Sequence, residues 1–357
     1  MKPYSKFEDV LKSIRRYVNY RRLEGNYLLK GERELAELFG TSRKTLAKVL
    51  TTLEAEKLIF RNERKATRIA PLHPQKFKYA FVSNYHRETG FFWYPNEKRV
   101  FQNLKILCAD NLLKVDAVPF DPENPDDNTE KLAVRLSGYS IVFCGLLRKE
   151  DFSKLSKYLK SAKTEIIPTD ERFLDDYSDI SLIALDYYES GKIAAKAFLE
   201  HGYSHPYLVG HVSFTNSLIC RRIKGFTDVM ERHGIPCGTM FSDYQERLEG
   251  VIRISEFMKK ITSDNVDSLF FPLDRYMDLM LIPLYRRNLV PEIGIIASLS
   301  AGEAAMHVPT VFYLTNGEKE IAETIMGIIL RKESGTWNGE REIFRISSCL
   351  VEGQSLK

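Results

Sequence analysis

The chain has 357 residues, 44% of them hydrophobic and 28% charged, with 52 Lys/Arg against 48 Asp/Glu. That length expects two or three domains, each able to bury a core. No apolar run approaches membrane-spanning length and no leader-like apolar segment opens the chain. The five cysteines (Cys108, Cys144, Cys220, Cys237, Cys349) are scattered without a CxxC pair, which argues against a disulfide framework or a cysteine zinc site and predicts a cytosolic protein.

Taken in order, Phe7, Leu11, Ile14 and Val18 predict an opening helix with one apolar stripe that ends near Gly25. Leu35, Ala36 and Phe39 then mark one side of a short helix, which Gly40 breaks. Ser42 opens a second helix carrying Leu46, Val49, Leu50 and Leu53 at helical spacing. Ser42, Arg43, Lys44 and Thr45 begin its opposite face, with Lys48 one turn on. Polar and cationic groups placed there can meet base-edge acceptors and phosphates in a major groove. Two amphipathic helices with a solvated charged face are the plainer reading, and composition alone cannot separate the two. Leu58–Phe60 and Thr67–Ala70 predict two short strands around a charged tip that includes Arg64 and Lys65. Residues 1–70 hold seventeen Lys/Arg and nine Asp/Glu, a net of +8, in a chain whose total is +4. A basic module on a mildly acidic body suits a nucleic-acid footprint.

These residues resemble the winged-helix DNA-binding domain of the GntR family. The shared pattern is Leu29, Gly31–Ala36, Phe39–Gly40, Ser42–Arg43, Thr45–Leu46 and Leu53–Glu56, closing on Leu58–Ile59. The resemblance spans roughly residues 5–70 and implies that Arg33, Ser42, Arg43 and Thr45 lie at DNA. Lys30-Gly31 replaces the family's usual Pro-Ser, Ala47 stands where many relatives carry arginine, and the wing tip lacks the usual glycines. The operator sequence therefore does not carry over.

Pro71-Leu72-His73-Pro74 breaks regular structure and marks a linker, 71–77. Beyond it, strand-like runs alternate with helical patterns. The runs are Tyr79–Val82, Leu113–Val118, Ile141–Cys144, Glu165–Ile167, Leu182–Leu185, Tyr207–Val209, Ser268–Phe271 and Ile293–Ala297. The helices are Arg99–Asp110, Phe152–Ser161, Glu189–His201, Ile219–His233, Leu248–Ile261 and Tyr276–Arg287. This alternation predicts α/β structure with doubly wound parallel sheet, and so many strands suggest two lobes.

A second resemblance covers roughly residues 78–357. Asp186–Gly191, Ala194–Ala195, Leu199, His201–Gly202, Tyr207–Gly210, Arg221–Arg222 and Gly225–Phe226 look like the regulatory core of the LacI/GalR family. Asp267–Phe271, Asp274, Val290–Glu292 and Leu350–Glu352 fit the same plan. The resemblance implies a periplasmic-binding-protein-like body of two lobes clasping a small ligand, in a dimer. It places chain crossings near Leu185, Pro291 and Leu314, giving lobe 1 as about 78–185 with 291–314 and lobe 2 as about 186–290 with 315–357. It implies ligand contact for Arg222, which sits where the family grips effector hydroxyls or a carboxylate, and for Asp274 after the strand Leu269–Phe271. Without it, Arg222 reads as a surface arginine and Asp274 as a helix cap. Trp93, in Phe91-Phe92-Trp93-Tyr94, can stack on a sugar or simply fill a core. Asp186, at a crossing strand, can serve ligand or hinge. The family's Gly-Phe-Asp-Asp is Ala297–Ser300 here, so ligand identity does not carry over.

Catalytic signatures are missing: G-x-S-x-G, H-E-x-x-H and G-x-G-x-x-G do not occur, and the seven histidines show no metal-ligand spacing. The expectation is a bacterial transcription regulator rather than an enzyme, without cofactor or metal and not attached to a membrane. It would be a homodimer binding double-stranded operator DNA and a small effector, with sugar the expected class. The alternative is a cytosolic small-molecule sensor whose winged helix mediates protein contacts. The basic recognition turn argues against that.

Overall fold

The computed structural model describes residues 6–61, 66–71, 75–86, 91–92, 95–145, 147–173, 176–211, 218–242, 258–261, 263, 265–272, 277–290, 292–298, 306 and 310–357. The chain falls into two compact units, Met1–Pro168 with Ile321–Glu340, and Thr169–Glu320 with Arg341–Lys357.

The first unit opens with α1 (Lys6–Leu23), α2 (Glu32–Leu38) and α3 (Arg43–Ala55), followed by the antiparallel pair β1 (Ile59–Phe60) and β2 (Arg68–Ile69). The predicted stripe does fold these helices together. Val10, Ile14 and Val18 of α1 bury against Leu46, Val49, Leu50 and Leu53 of α3. Burying each such side chain is worth roughly 1.5–3 kcal/mol, which sets this small module's register. Gly40 ends α2 with φ +56°, a conformation that costs a β-carbon-free residue little. It lets the Thr41 N–H return to the Ala36 carbonyl at 2.9 Å and turn the chain into α3.

The chain then builds a parallel sheet from β3 (Tyr79–His86), β5 (Val115–Phe120), β6 (Ile141–Cys144) and β7 (Glu165–Pro168), in the order β5-β3-β6-β7. Short β4 (Phe91–Phe92) pairs antiparallel with the end of β3. The helices α4 (Pro95–Asn111), α5 (Thr129–Leu136) and α6 (Lys149–Ser161) connect these strands. Ile141–Cys144 are all fully buried, the mark of a central parallel strand covered on both faces.

The winged helix is docked on this lobe. The Arg16 guanidinium on α1 makes two parallel bonds, 2.9 and 2.6 Å, to the Asp110 carboxylate on α4. Buried Arg22 donates to the carbonyls of Ala70 and Pro71 at 2.7 and 3.1 Å, tying the start of the linker back to α1. The Gln75 amide then holds the main chain just before β5. It donates to the Lys114 carbonyl at 3.2 Å and accepts from the Lys114 N–H at 2.8 Å.

The second unit contains β8 (Leu182–Leu185), α7 (Tyr187–Glu200), β9 (Pro206–His211), α8 (Leu218–Arg232), β10 (Gly238–Ser242), β11 (Ser268–Phe271), α9 (Met277–Arg286), β12 (Gly294–Ser298) and β13 (Phe312–Leu314). Helix α10 (Glu318–Ser334) returns to the first unit from Ile321 onward, and β14 (Ile343–Ile346) and β15 (Leu350–Val351) close the chain in the second. The main sheet runs β10-β9-β11-β12-β13-β15, parallel throughout except for edge strand β15. Its two faces follow the period of two. Leu208, Phe270 and Ile296 meet Phe198 and Phe226 of α7 and α8, while Val209, Leu269, Phe271 and Ile295 meet Leu281 and Leu284 of α9.

The lobe boundaries expected from the sequence need correction. Residues 291–314 are expected in lobe 1, yet β12 pairs along β11 (Ser268↔Gly294 to Phe271↔Ala297) and β13 along β12, so these two strands extend the second sheet. Conversely, 321–340, placed with lobe 2, belong to the first unit. The chain passes between units after Pro168, Glu320 and Glu340 instead of near Leu185, Pro291 and Leu314.

Candidate nucleic-acid interface and effector site

Helix α3 begins with a formed cap. The Ser42 hydroxyl accepts from the Thr45 N–H at 3.1 Å and lies 2.9 Å from the Thr45 hydroxyl. Two of the predicted DNA-contact side chains thus hold each other. Alanine at Ser42 is expected to cost ~1 kcal/mol and aspartate, which also caps, much less, read as denaturation midpoints.

Arg43, Lys44 and Lys48 are exposed, and none has a carboxylate within 4 Å among the described residues. Three cations are therefore left open around the N-terminal end of α3, where the helix dipole adds its own positive end. Arg33 differs: exposed on α2, it lies 3.5 Å from Glu37 one turn on. Arg64 and Lys65 lie outside the described residues.

Arg68, which the sequence motifs do not single out, is a further exposed cation of this module. It is exposed on β2, pairs in register with Phe60 and bridges Leu28, and no carboxylate lies within 4 Å among the described residues. The signal was present, because an inward Ile69 in a two-residue repeat turns Arg68 outward.

In the second unit, α7 and α8 cross at two glycines. A β-carbon on Gly191 would overlap the Arg222 carbonyl oxygen, and one on Gly225 would overlap that of Tyr188. This close crossing brings Arg222 of α8 under the start of α7, with its guanidinium 4.8 Å from the centre of the Tyr187 ring. Its Nη1 donates to the Pro272 carbonyl at 2.7 Å, immediately past the C-terminal end of β11. Arg222 is 1% exposed, so the surface-arginine reading is excluded. The C-terminal ends of parallel strands are where open α/β sheets bind ligands.

Asp186 caps α7, accepting from the Glu189 N–H at 2.9 Å, while its own N–H donates to the Ile346 carbonyl at 2.7 Å. It joins strand β8, helix α7 and strand β14 within the second unit. Trp93 and Asp274 lie outside the described residues. The described residues hold no group of three or more His, Cys, Asp or Glu able to hold a metal, and no helix among them is long and apolar enough to cross a membrane.

Residues 7–69 match the family described as "Bacterial regulatory proteins, gntR family". A comparison with curated proteins gives no match. The rest of the chain has the fold of LacI-family regulators. A LacI family transcriptional regulator from Enterococcus faecium with bound ribose superposes with a TM-score of 0.59 at 14% identity, over 78% of this chain and 98% of that one. The transcriptional regulator CelR in complex with cellobiose gives 0.57 at 14%, over 92% and 100%. The lac repressor dimer bound to operator and an anti-inducer gives 0.55 at 11%, over 79% and 95%. The architecture is an N-terminal winged helix-turn-helix on a two-lobed, doubly wound parallel-sheet body.

Proposed function

We propose that the chain is a bacterial transcription regulator whose operator affinity is set by a small polyhydroxylated ligand, a sugar or sugar derivative. The observation that carries this reading is the capped α3 with Arg43, Lys44 and Lys48 exposed and without carboxylate partners, in a region that matches the gntR family. Arg33, Ser42, Thr45, Arg64 and Lys65 complete the DNA surface, and Arg68 extends it onto the wing. The protein works in the cytoplasm as a homodimer, one winged helix per half of a two-fold operator, as the operator-bound lac repressor dimer suggests. It binds and does not catalyse.

The sugar assignment is supported by the ribose and cellobiose bound to similar folds. Arg222 is the central effector residue. A planar guanidinium fork held at a strand end suits vicinal hydroxyls or a carboxylate. Trp93, Asp186 and Asp274 are the remaining effector residues of this reading. Ligand acts only through different affinities for two arrangements of the protein, and ~1–3 kcal/mol of such coupling alters operator affinity ~5–150-fold.

Fluorescence anisotropy with labelled fragments from the chromosome around the gene tests the DNA half, and calorimetry with a sugar panel tests the effector half. Arg222→Ala is expected to bind operator like the unaltered protein and to lose the sugar response, with sugar affinity down at least tenfold. A variant that still responds at unaltered sugar concentrations would remove Arg222 from the site. Sugar binding without binding to any fragment would leave a sensor and sink the regulator.

A further inference from the structure

Helix α1 has two faces in use. Val10, Ile14 and Val18 bury inside the winged helix, while Arg16, Tyr20 and Leu23, spaced as successive turns, lie on the opposite side. That second face meets α4. Arg16 forks onto the Asp110 carboxylate, and the Tyr20 hydroxyl accepts from the Lys105 ammonium at 2.8 Å. The same ammonium lies 4.8 Å from the centre of the Tyr20 ring. We propose that this seam makes the winged helix a fixed part of the first lobe, so that effector binding reaches DNA as a displacement of the whole lobe and not through a loose tether. The second half of this proposal rests on the effector-controlled regulator put forward above.

The linker points the same way by separate contacts. Buried Arg22 holds the carbonyls of Ala70 and Pro71 on the winged-helix side. On the lobe side Gln75 holds both main-chain groups of Lys114, and Lys76 donates to the Glu333 carbonyl of α10 at 3.1 Å. The Lys332 ammonium, also of α10, lies 5.6 Å from the centre of the Phe77 ring. Between the anchors at Pro71 and Gln75 the main chain can span at most ~14 Å. Any large swing of the winged helix therefore has to break the Arg22 or the Gln75 anchor along with the seam.

Helix α4 is a stiff support. Its 17 residues are about 25 Å long. Val100, Leu104 and Cys108 are buried, and the Phe101 ring stacks on Phe81 of β3 with centres 5.7 Å apart. Its last turns carry Lys105 and Asp110. Its first turn carries buried Glu97, packed so closely on Gly145, just past β6, that a β-carbon there would overlap the Glu97 carboxylate. The C-terminal ends of such strands are where open α/β sheets bind ligands. One helix thus reaches from that edge of the first sheet to the winged helix. Because α4 is packed on β3, and α1 on both α4 and α3, a rotation of the lobe carries the recognition helix with it. A single exposed ion pair would hold little. Here a forked pair, a second ammonium contact and two linker anchors act together.

NMR relaxation of the backbone amides in the full chain tests the docking. In the unaltered protein the winged-helix amides are expected to share the correlation time of the first lobe. Arg16→Glu combined with Lys105→Ala breaks both seam contacts and is expected to shorten the winged-helix correlation time at least ~1.5-fold. Adding Asp110→Arg to that variant rebuilds the fork in reverse and is expected to recover most of the loss. The ratio of operator affinities with and without sugar, starting with ribose and cellobiose, reads the transmission. Charge changes alter operator affinity by themselves, so the ratio is the measure. In the seam-broken variant it is expected to fall to within ~2-fold of unity, and the operator then ceases to alter sugar affinity as well. Sugar affinity of the DNA-free protein is expected to stay unchanged, since Arg222 belongs to the second unit.

Faster tumbling of the winged helix in the unaltered protein would overturn the proposal, whatever the sugar does. Unchanged tumbling in the seam-broken variant would mean that the linker anchors alone hold the domain, and would overturn the seam. An unchanged ratio in a variant whose winged helix has been released would overturn the transmission. A docked, unaltered protein that binds operator and answers no sugar would sink the effector reading, and with it the transmission, while the docking stood.

Discussion

Gly225→Ala is expected to destabilise the second unit by at least ~1–3 kcal/mol and to weaken effector binding with it. Two effects oppose each other. Alanine is the better helix former by about 1 kcal/mol in the interior of a helix such as α8. Its β-carbon, however, would overlap the Tyr188 carbonyl oxygen, a main-chain atom of α7 that cannot swing aside as a side chain can. The helices must part, and parting them strips contacts from Phe198 and Phe226, both fully buried where α7 and α8 meet the sheet. Packing therefore wins. Gly191→Ala faces the reciprocal overlap with the Arg222 carbonyl oxygen and, at 2.7 Å, the Phe226 nitrogen, and is expected to behave alike. Either change also moves Arg222 relative to Tyr187 and Pro272, so sugar affinity falls with stability. Gly327, in α10, is the control. It is exposed and a β-carbon there meets nothing within 4 Å, so Gly327→Ala is expected to stabilise by ~0.5–1 kcal/mol. Denaturation midpoints decide the matter. If Gly225→Ala gained stability as Gly327→Ala does, the helix crossing described here would be wrong.

The contrast between these glycines shows where the sequence is legible. Gly40 announces itself locally, between two apolar periodicities, and the structure puts a positive φ there. Gly191 and Gly225 carry no local signal, because what forbids a side chain at each is another helix. The same division runs through the body. All eight apolar runs expected as strands are strands, since each was read from its own residues. The partner of a strand is a long-range property, however. Nothing within Ile293–Ala297 says whether it continues the first sheet or the second, and pairing with Ser268–Phe271 puts it in the second. Elements with a weak local pattern went unread, such as β10, α5 and α10. At the candidate sites, residue types were legible and environments were not. Arg222 by itself reads as a surface arginine and is in fact buried, whereas Asp186, read as serving ligand or hinge, also caps α7, which its own residue type allows but does not announce.

Arg43→Ala and Lys44→Ala are each expected to weaken operator binding while leaving the melting temperature unchanged, and the double variant is expected to lose ~100-fold or more. Stability should hold because neither side chain has a carboxylate within 4 Å among the described residues, and both are exposed on α3 opposite the buried Leu46, Val49, Leu50 and Leu53. Salt and sequence dependence then assign each role. A side chain reading a base edge with two hydrogen bonds is worth ~1–3 kcal/mol, and its loss relaxes one operator position. A phosphate contact weakens binding to all sequences alike, and its loss lowers the slope of log affinity against log salt by about 0.9. Ser42→Asp separates the cap from the interface. It keeps the bond to the Thr45 N–H, and so keeps stability, while placing a negative charge at the same helix end, where operator affinity is expected to fall at least tenfold. Arg33→Ala is expected to cost less than either neighbour, because Arg33 is already shared with Glu37 at 3.5 Å. Anisotropy titrations at several salt concentrations read all of these together. Unchanged affinity in Arg43→Ala, Lys44→Ala and Ser42→Asp alike would mean that α3 does not face DNA.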